Sequence, residues 1–186
     1  LMINKKSKYA IVIAILFELI LVGTIIFSLV SKQKTNLFLL LGTMFCILIP
    51  FIITYITNKI KLLLPTNFQY YAVIFIILAL YFGEFLKFYT IFWWWDLFLH
   101  FTFGCYGVII FIHLLKGIIQ KTNSISIRRF AIFSVISAFC FSISLGTLWE
   151  IAEFLSDYFL KTNTVNGGLE DTATDLMVKV IGAFIT

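Results

Sequence analysis

The sequence predicts an all-α, polytopic integral membrane protein with six transmembrane helices, and three observations carry that prediction. Hydrophobic residues make up 61% of the 186-residue chain and charged residues only 12%, with a mean hydropathy of +1.04. Several apolar runs reach the ~20 residues that a helix needs to cross the hydrocarbon core of a bilayer. No run alternates apolar and polar residues as a barrel wall must.

The first span is expected over residues 9–30. Lys5, Lys6 and Lys8 precede it as they would a signal peptide, but the run is too long and lacks a small-residue cleavage site, so it reads as a retained helix. The second covers 37–56 and contains Pro50; the third covers 68–86 and carries Glu84 near its end. Trp93, Trp94 and Trp95 read as an interfacial belt that opens the fourth span, 96–115. The fifth, 130–159, ends on the stretch GTLWEIAEFLSDYF, and the sixth, 171–186, follows the turn signal Asn166-Gly167-Gly168. That last span is short where the sequence stops, which reads either as a truncation or as an ending at the membrane surface. Leu1-Met2 reads as an expression scar or an unusual start. The whole of 1–186 is expected to form a single transmembrane domain, with no soluble domain and no internal repeat.

Loop charge orients the bundle. With six spans, Lys5, Lys6, Lys8, Lys59, Lys61, Lys116, Lys121, Arg128 and Arg129 fall on one side, against Lys32, Lys34, Lys87 and Lys161 on the other. Positive residues favour the cytoplasm, so a multi-pass protein of the bacterial cytoplasmic (inner) membrane is expected, with both termini cytoplasmic. The net charge of +5 is therefore a topology signal. The basic residues are scattered over loops, which argues against a nucleic-acid surface and leaves membrane lipids as the expected partners. Cys46, Cys105 and Cys140 lie in apolar segments without C-x-x-C spacing and read as small packing residues.

The acids are the informative residues. Nine are present, and only Glu18 lies in the body of the first span. Alternating the helices puts the other eight, Glu84, Asp96, Glu150, Glu153, Asp157, Glu170, Asp171 and Asp175, at the extracytoplasmic end. At about 100° per residue, Ser142, Gly146, Glu150, Glu153 and Asp157 share an arc of about 80°. Small residues mark the face on which membrane helices approach closely, so these acids are expected to point into the bundle. Asp96 and His100 are four apart, with Gly104 and Gly107 on their side; Asp171 and Asp175 are four apart, with Lys179 and Gly182 continuing that face. Counting depth along the helices, His100, Glu150 and Asp175 are expected to meet, with Asp96, Glu153 and Asp171 in a shallower layer. Glu18 and Lys179, each near the midplane, are expected to pair.

Carboxylates gathered out of water must protonate, pair with a cation or be heavily hydrogen-bonded. Asp96, His100, Glu150, Glu153, Asp171 and Asp175 thus form a candidate divalent-cation site. Oxygen ligands with one imidazole suit Mg, Mn or Ca better than Zn. Glu84 and Asp157 are peripheral acids, the former within reach of Lys87 as a surface pair. The structural alternatives are specific: Asp171 capping the last helix through the amide of Thr174, Asp96 as another N-cap, Glu170 and Asp157 as solvated charges, His113 near headgroups, and the remaining acids as a protonated hydrogen-bond network.

At WWWDLFLHFTFG, GTLWEIAEF and NGGLEDTATDLMVKVIGA the chain resembles the YjdF-like family of polytopic bacterial membrane proteins and, more distantly, the VanZ-like family linked with glycopeptide resistance. The matching positions are Asp96, His100, Gly104, Glu150, Glu153, Asp171, Asp175 and Gly182, over about the last two thirds of the chain. The resemblance implies the architecture and the polar positions, and no substrate.

Three functions remain open on the sequence. One is a metal-dependent enzyme acting on lipid or lipid-linked envelope precursors at the outer leaflet, with a carboxylate or His100 as general base. Another is a cation- or proton-coupled transporter, disfavoured because such sites usually lie near the midplane on broken helices. The third is a non-catalytic envelope factor whose acids serve structure.

Overall fold

The computed structural model describes residues 5–32, 36–118, 126–160 and 168–186. These are helical in the order α1 (Lys5–Val30), α2 (Leu37–Lys59), α3 (Phe68–Ile76) continuing into a π-helical segment (Ile77–Phe85), α4 (Phe88–Ile91), α5 (Trp95–Ile118), α6 (Ile127–Leu160) and α7 (Leu169–Ile185). No strand occurs among the described residues.

Local chemistry sets the boundaries. The Asn36 side chain accepts from the Leu39 amide at 3.1 Å and starts α2. Ser126 does the same for Arg129 at 3.2 Å, so α6 begins at Ile127, three residues before the position expected from hydropathy. Within the helices, hydroxyls return to their own backbone: Thr43 to the Leu39 carbonyl at 2.8 Å, Thr54 to Pro50 at 2.7 Å and Ser134 to Phe130 at 2.7 Å. This satisfies side chains that lipid cannot solvate. Gly168 precedes α7 at φ 64°, a conformation that a side chain would resist.

Five of the described helices are long and apolar enough to cross a membrane: Ser7–Val30, Leu37–Lys59, Phe68–Phe85, Trp95–Ile118 and Ile127–Leu155. The expectation of six spans is corrected on α7. Helix α7 carries four charged residues, Glu170, Asp171, Asp175 and Lys179, and is not among those five. The protein is a polytopic all-α membrane protein.

The described residues gather into two compact units, 1–92 and 93–186. In the first, α1, α2 and α3 pack on one another around Ala14, Leu21, Leu40, Ile47, Val73 and Ile77. The Ser7 hydroxyl donates to the Gln69 side-chain carbonyl, tying the start of α1 to α3. In the π-helical segment Leu86 donates to the Tyr81 carbonyl five residues back, at 2.8 Å, and Gly83 lies beneath the Tyr89 ring where no Cβ would fit. In the second unit α5 packs on both α6 and α7, which also touch each other. Val108, Ala138 and Ala183 form an apolar core there, with Phe111, Ile112 and Phe139 around it. Large apolar side chains cover the outside, among them Phe38 and Phe184, both 81% exposed. Such a surface suits acyl chains rather than water.

Candidate functional site

The second unit owes its closeness to small residues. A Cβ on Gly104 of α5 would fall on the Lys179 carbonyl oxygen of α7, and one on Gly182 of α7 would fall on the Phe101 carbonyl oxygen of α5. Gly107 lies against Ser142, and a Cβ on Gly146 would stand 2.7 Å from Cδ of Lys179. Contacts this close let polar groups bridge the helices: the Ser142 hydroxyl donates to the Gly104 carbonyl at 2.7 Å and the Cys105 thiol to the Gly182 carbonyl at 3.3 Å. The cysteines are free; Cys140 faces outward rather than packing.

Above this seam the polar side chains converge on His100, which is buried. Its Nε2 lies 2.9 Å from Oδ1 of Asp96, one turn earlier on α5, and 3.6 Å from Oδ2 of Asp175 on α7. Its Nδ1 lies 3.8 Å from Oε1 of Glu150 on α6. Ligand atoms of Asp96, His100 and Asp175 all fall within 4.8 Å of one another, and so do those of His100, Glu150 and Glu153. The Lys179 ammonium contacts the Glu150 carboxylate and donates to the Gly146 carbonyl at 3.3 Å. His100, Glu150, Asp175 and Lys179 are buried; Asp96 and Glu153 are partly so.

Five of the six residues expected as ligands are thus brought together. The sixth, Asp171, stands one turn before Asp175 on α7, half-buried and outside both groups. It does not cap that helix, because α7 starts at Leu169 with Gly168 at the cap and Asp171 inside the first turn. Asp96 likewise lies inside the first turn of α5 rather than at its cap. Glu84 is on the π-helical segment of the other unit, and the side chain of Asp157 lies outside the described residues. His113 is satisfied within α5, its Nδ1 2.8 Å from the Ile109 carbonyl. Trp95 is buried, leaving Trp93 and Trp94 as the exposed members of the expected belt.

The expected pairing of Glu18 with Lys179 is corrected. Glu150 takes the ammonium instead, and Glu18 keeps one buried carboxyl oxygen without a hydrogen-bond partner. Depth alone suggested the pair; within the second unit, Gly146 leaves room along α6 for the Lys179 stem, and Glu150, one turn on, stands at its end. Sequence reasoning put Lys179 on the face of Asp175 and Gly182; Glu150 as its partner is what it missed.

The arrangement fits a cation. Asp96, Glu150, Glu153 and Asp175 place four carboxylates around a single ammonium, so the formal charge is strongly negative unless protons or a cation are shared. Two atoms each ~2.1 Å from an ion lie ~3 Å apart at right angles and ~4.2 Å apart when opposite. The observed 2.9 and 3.6 Å separations fall in or beside that range. By contrast, the groove between Tyr9, Ile13, Asn67 and Tyr70 in the first unit offers aromatic and amide surface without carboxylate or imidazole.

A family described as predicted membrane protein (DUF2238) matches residues 12–186. An uncharacterised protein of Thermotoga maritima is 31% identical over 132 residues, which is 69% of this chain and 60% of that protein. The chain therefore spans less than two thirds of that relative's length. No solved structure matches the chain.

Proposed function

The chain belongs to the DUF2238 family of predicted membrane proteins, and we propose that its second unit binds a divalent cation at the extracytoplasmic end of the helices, for metal-dependent chemistry on a lipid or lipid-linked envelope precursor. One observation carries the reading: a buried imidazole with carboxylates of three different helices within 4 Å of its ring nitrogens. Such groups are expensive to keep in an apolar surround, and a bound ion offsets that cost. Oxygen donors with one imidazole favour Mg, Mn or Ca. A bound dication supplies Lewis acidity toward a phosphoryl or carbonyl oxygen. The chain's own part is to hold that charge and to shield it from lipid, with Asp96 the more accessible of the two side chains facing Nε2.

Orientation belongs to the same proposal. The lysines at the start of α1 favour the cytoplasm for the N-terminus of a protein of the bacterial cytoplasmic membrane. Five alternating spans then bring the end of α6 and the start of α5 to the outer face, with α7 directed back into the membrane.

A second reading, a cation- or proton-coupled transporter, is favoured by Lys179, a tethered ammonium sharing a carboxylate that a mobile cation would also seek. Elemental analysis of the purified protein, with Asp175→Asn as comparison, separates the readings. About one Mg, Mn or Ca per chain, lost in the variant while helicity and elution volume persist, supports the bound-ion reading. Sub-stoichiometric metal together with cation flux into liposomes that Asp175→Asn abolishes favours transport. Neither metal nor flux leaves a structural polar network and overturns both.

A further inference from the structure

On the cation-site reading above, we infer that the ion is held by Asp96, Nε2 of His100 and Asp175, and that Glu150, anchored by Lys179, is a positioning residue that orients His100 through Nδ1. The imidazole ring divides the cluster in two. Nε2 faces Asp96 at 2.9 Å and Asp175 at 3.6 Å, while Nδ1 faces Glu150 at 3.8 Å on the opposite edge. A single ion takes one edge.

The Nδ1 edge already has its cation. Oε1 of Glu150, the atom nearest Nδ1, is also the atom that the Lys179 ammonium contacts. Lys179 is 2% exposed. Its stem lies so close along α6 that a Cβ on Gly146 would stand 2.7 Å from its Cδ, and its remaining donor contact is the Gly146 carbonyl at 3.3 Å. A dication bound there would sit against a primary ammonium that has no solvent to retreat into. Among the described residues, the carboxylates of Asp96 and Asp175 lie at the Nε2 edge.

The Nδ1 edge is instead what a ligating histidine requires. Such a residue usually donates its other N–H to a carboxylate, which fixes the tautomer and makes the bound nitrogen more basic. At 3.8 Å Glu150 is beyond hydrogen-bond length from Nδ1. An ion held at Nε2 would leave the ring proton on Nδ1, with Glu150 as its acceptor. Access agrees with this choice: the Asp96 side chain is 29% exposed, against 4% for Asp175 and 7% for His100. An ion at the Nε2 edge would thus have Asp96 as its most accessible ligand.

Mn²⁺ is the probe. In wild-type protein carrying histidine labelled with ¹⁵N at one ring position, pulsed electron paramagnetic resonance should show strong hyperfine coupling from the Nε2 label and weak coupling from the Nδ1 label. Strong coupling from Nδ1 overturns the assignment without any variant having to fold. In titrations, Asp96→Asn and Asp175→Asn should lose the stoichiometric ion, whereas Glu150→Gln should keep one Mn²⁺ per chain with affinity about 10–100-fold weaker. If Glu150→Gln loses the ion outright, Glu150 is a ligand and the inference fails. If it binds as tightly as wild type, Glu150 does not position His100 and the inference fails as well. Wild-type protein that takes up no Mn²⁺ instead ends the cation reading on which this rests.

Discussion

Lys179 and Glu150, 29 residues apart, meet across α7 and α6 as a buried ion pair, with the ammonium also held by the Gly146 carbonyl. Neither residue has water to turn to if the other is removed. Breaking a buried pair from one side costs about 3–5 kcal/mol, while replacing both partners by apolar residues of similar volume is often neutral. Lys179→Met should therefore unfold at much lower denaturant than wild type, and Lys179→Met with Glu150→Leu should recover most of the loss. Denaturant titration in a fixed detergent, followed by circular dichroism, checks this. A double variant as unstable as the single one would mean that the pair carries no coupling.

The glycines at the α5–α7 crossing give a second test. Backbone oxygens, which cannot swing aside, occupy the Cβ positions of Gly104 and Gly182, whereas Gly23 and Gly42 have nothing within 4 Å. Gly104→Ala and Gly182→Ala should each destabilise by about 1–3 kcal/mol as the helices are forced apart. Gly42→Ala should be neutral or stabilising by up to ~1 kcal/mol, since alanine is the better helix former. The same denaturant titrations decide it; equal effects at Gly42 and Gly182 would show that helix spacing is not what the second unit depends on.

Much of this was legible because it is local. Helix identity follows from composition over some twenty residues, and the 100° period places Ser142, Gly146, Glu150 and Glu153 on the face of α6 against which Gly107, Lys179 and His100 pack. What was not legible depends on rotation between helices and on small backbone choices. Depth along an axis suggested Glu18 as the partner of Lys179; the gap left by Gly146 decides otherwise. The π-helical turns of Ile77–Phe85 change no residue's hydropathy and so leave no trace in a hydropathy pattern. Helix α7 reads as a span from its apolar run Met177 to Phe184, yet Glu170, Asp171, Asp175 and Lys179 load it with four charges.

Metal should stabilise the fold if the cluster holds it. A ligand that binds only the native state contributes about 2.7 kcal/mol at a hundred times its dissociation constant. Adding Mn²⁺ to chelator-treated wild-type protein should raise its melting temperature in a concentration-dependent way, and Asp96→Asn and Asp175→Asn should abolish the shift. His113→Gln, which changes an imidazole engaged with the Ile109 carbonyl, should retain it. A shift of equal size in all four proteins would mark non-specific binding to surface or detergent.

Sidedness is the last expectation. Five alternating spans with the Lys5–Lys8 end in the cytoplasm place the end of α2 inside and the start of α5, with its exposed Trp93, outside. In a background lacking Cys46, Cys105 and Cys140, Trp93→Cys should react with a membrane-impermeant maleimide in intact cells of an inner-membrane host made permeable only at the outer envelope. Lys59→Cys, at the exposed end of α2, should react only after the inner membrane is opened. The same labelling pattern decides where the cluster opens, because Asp96 lies three residues beyond Trp93. Reversed labelling would put the acids at the cytoplasmic face, and a substrate in the outer leaflet would then be out of their reach.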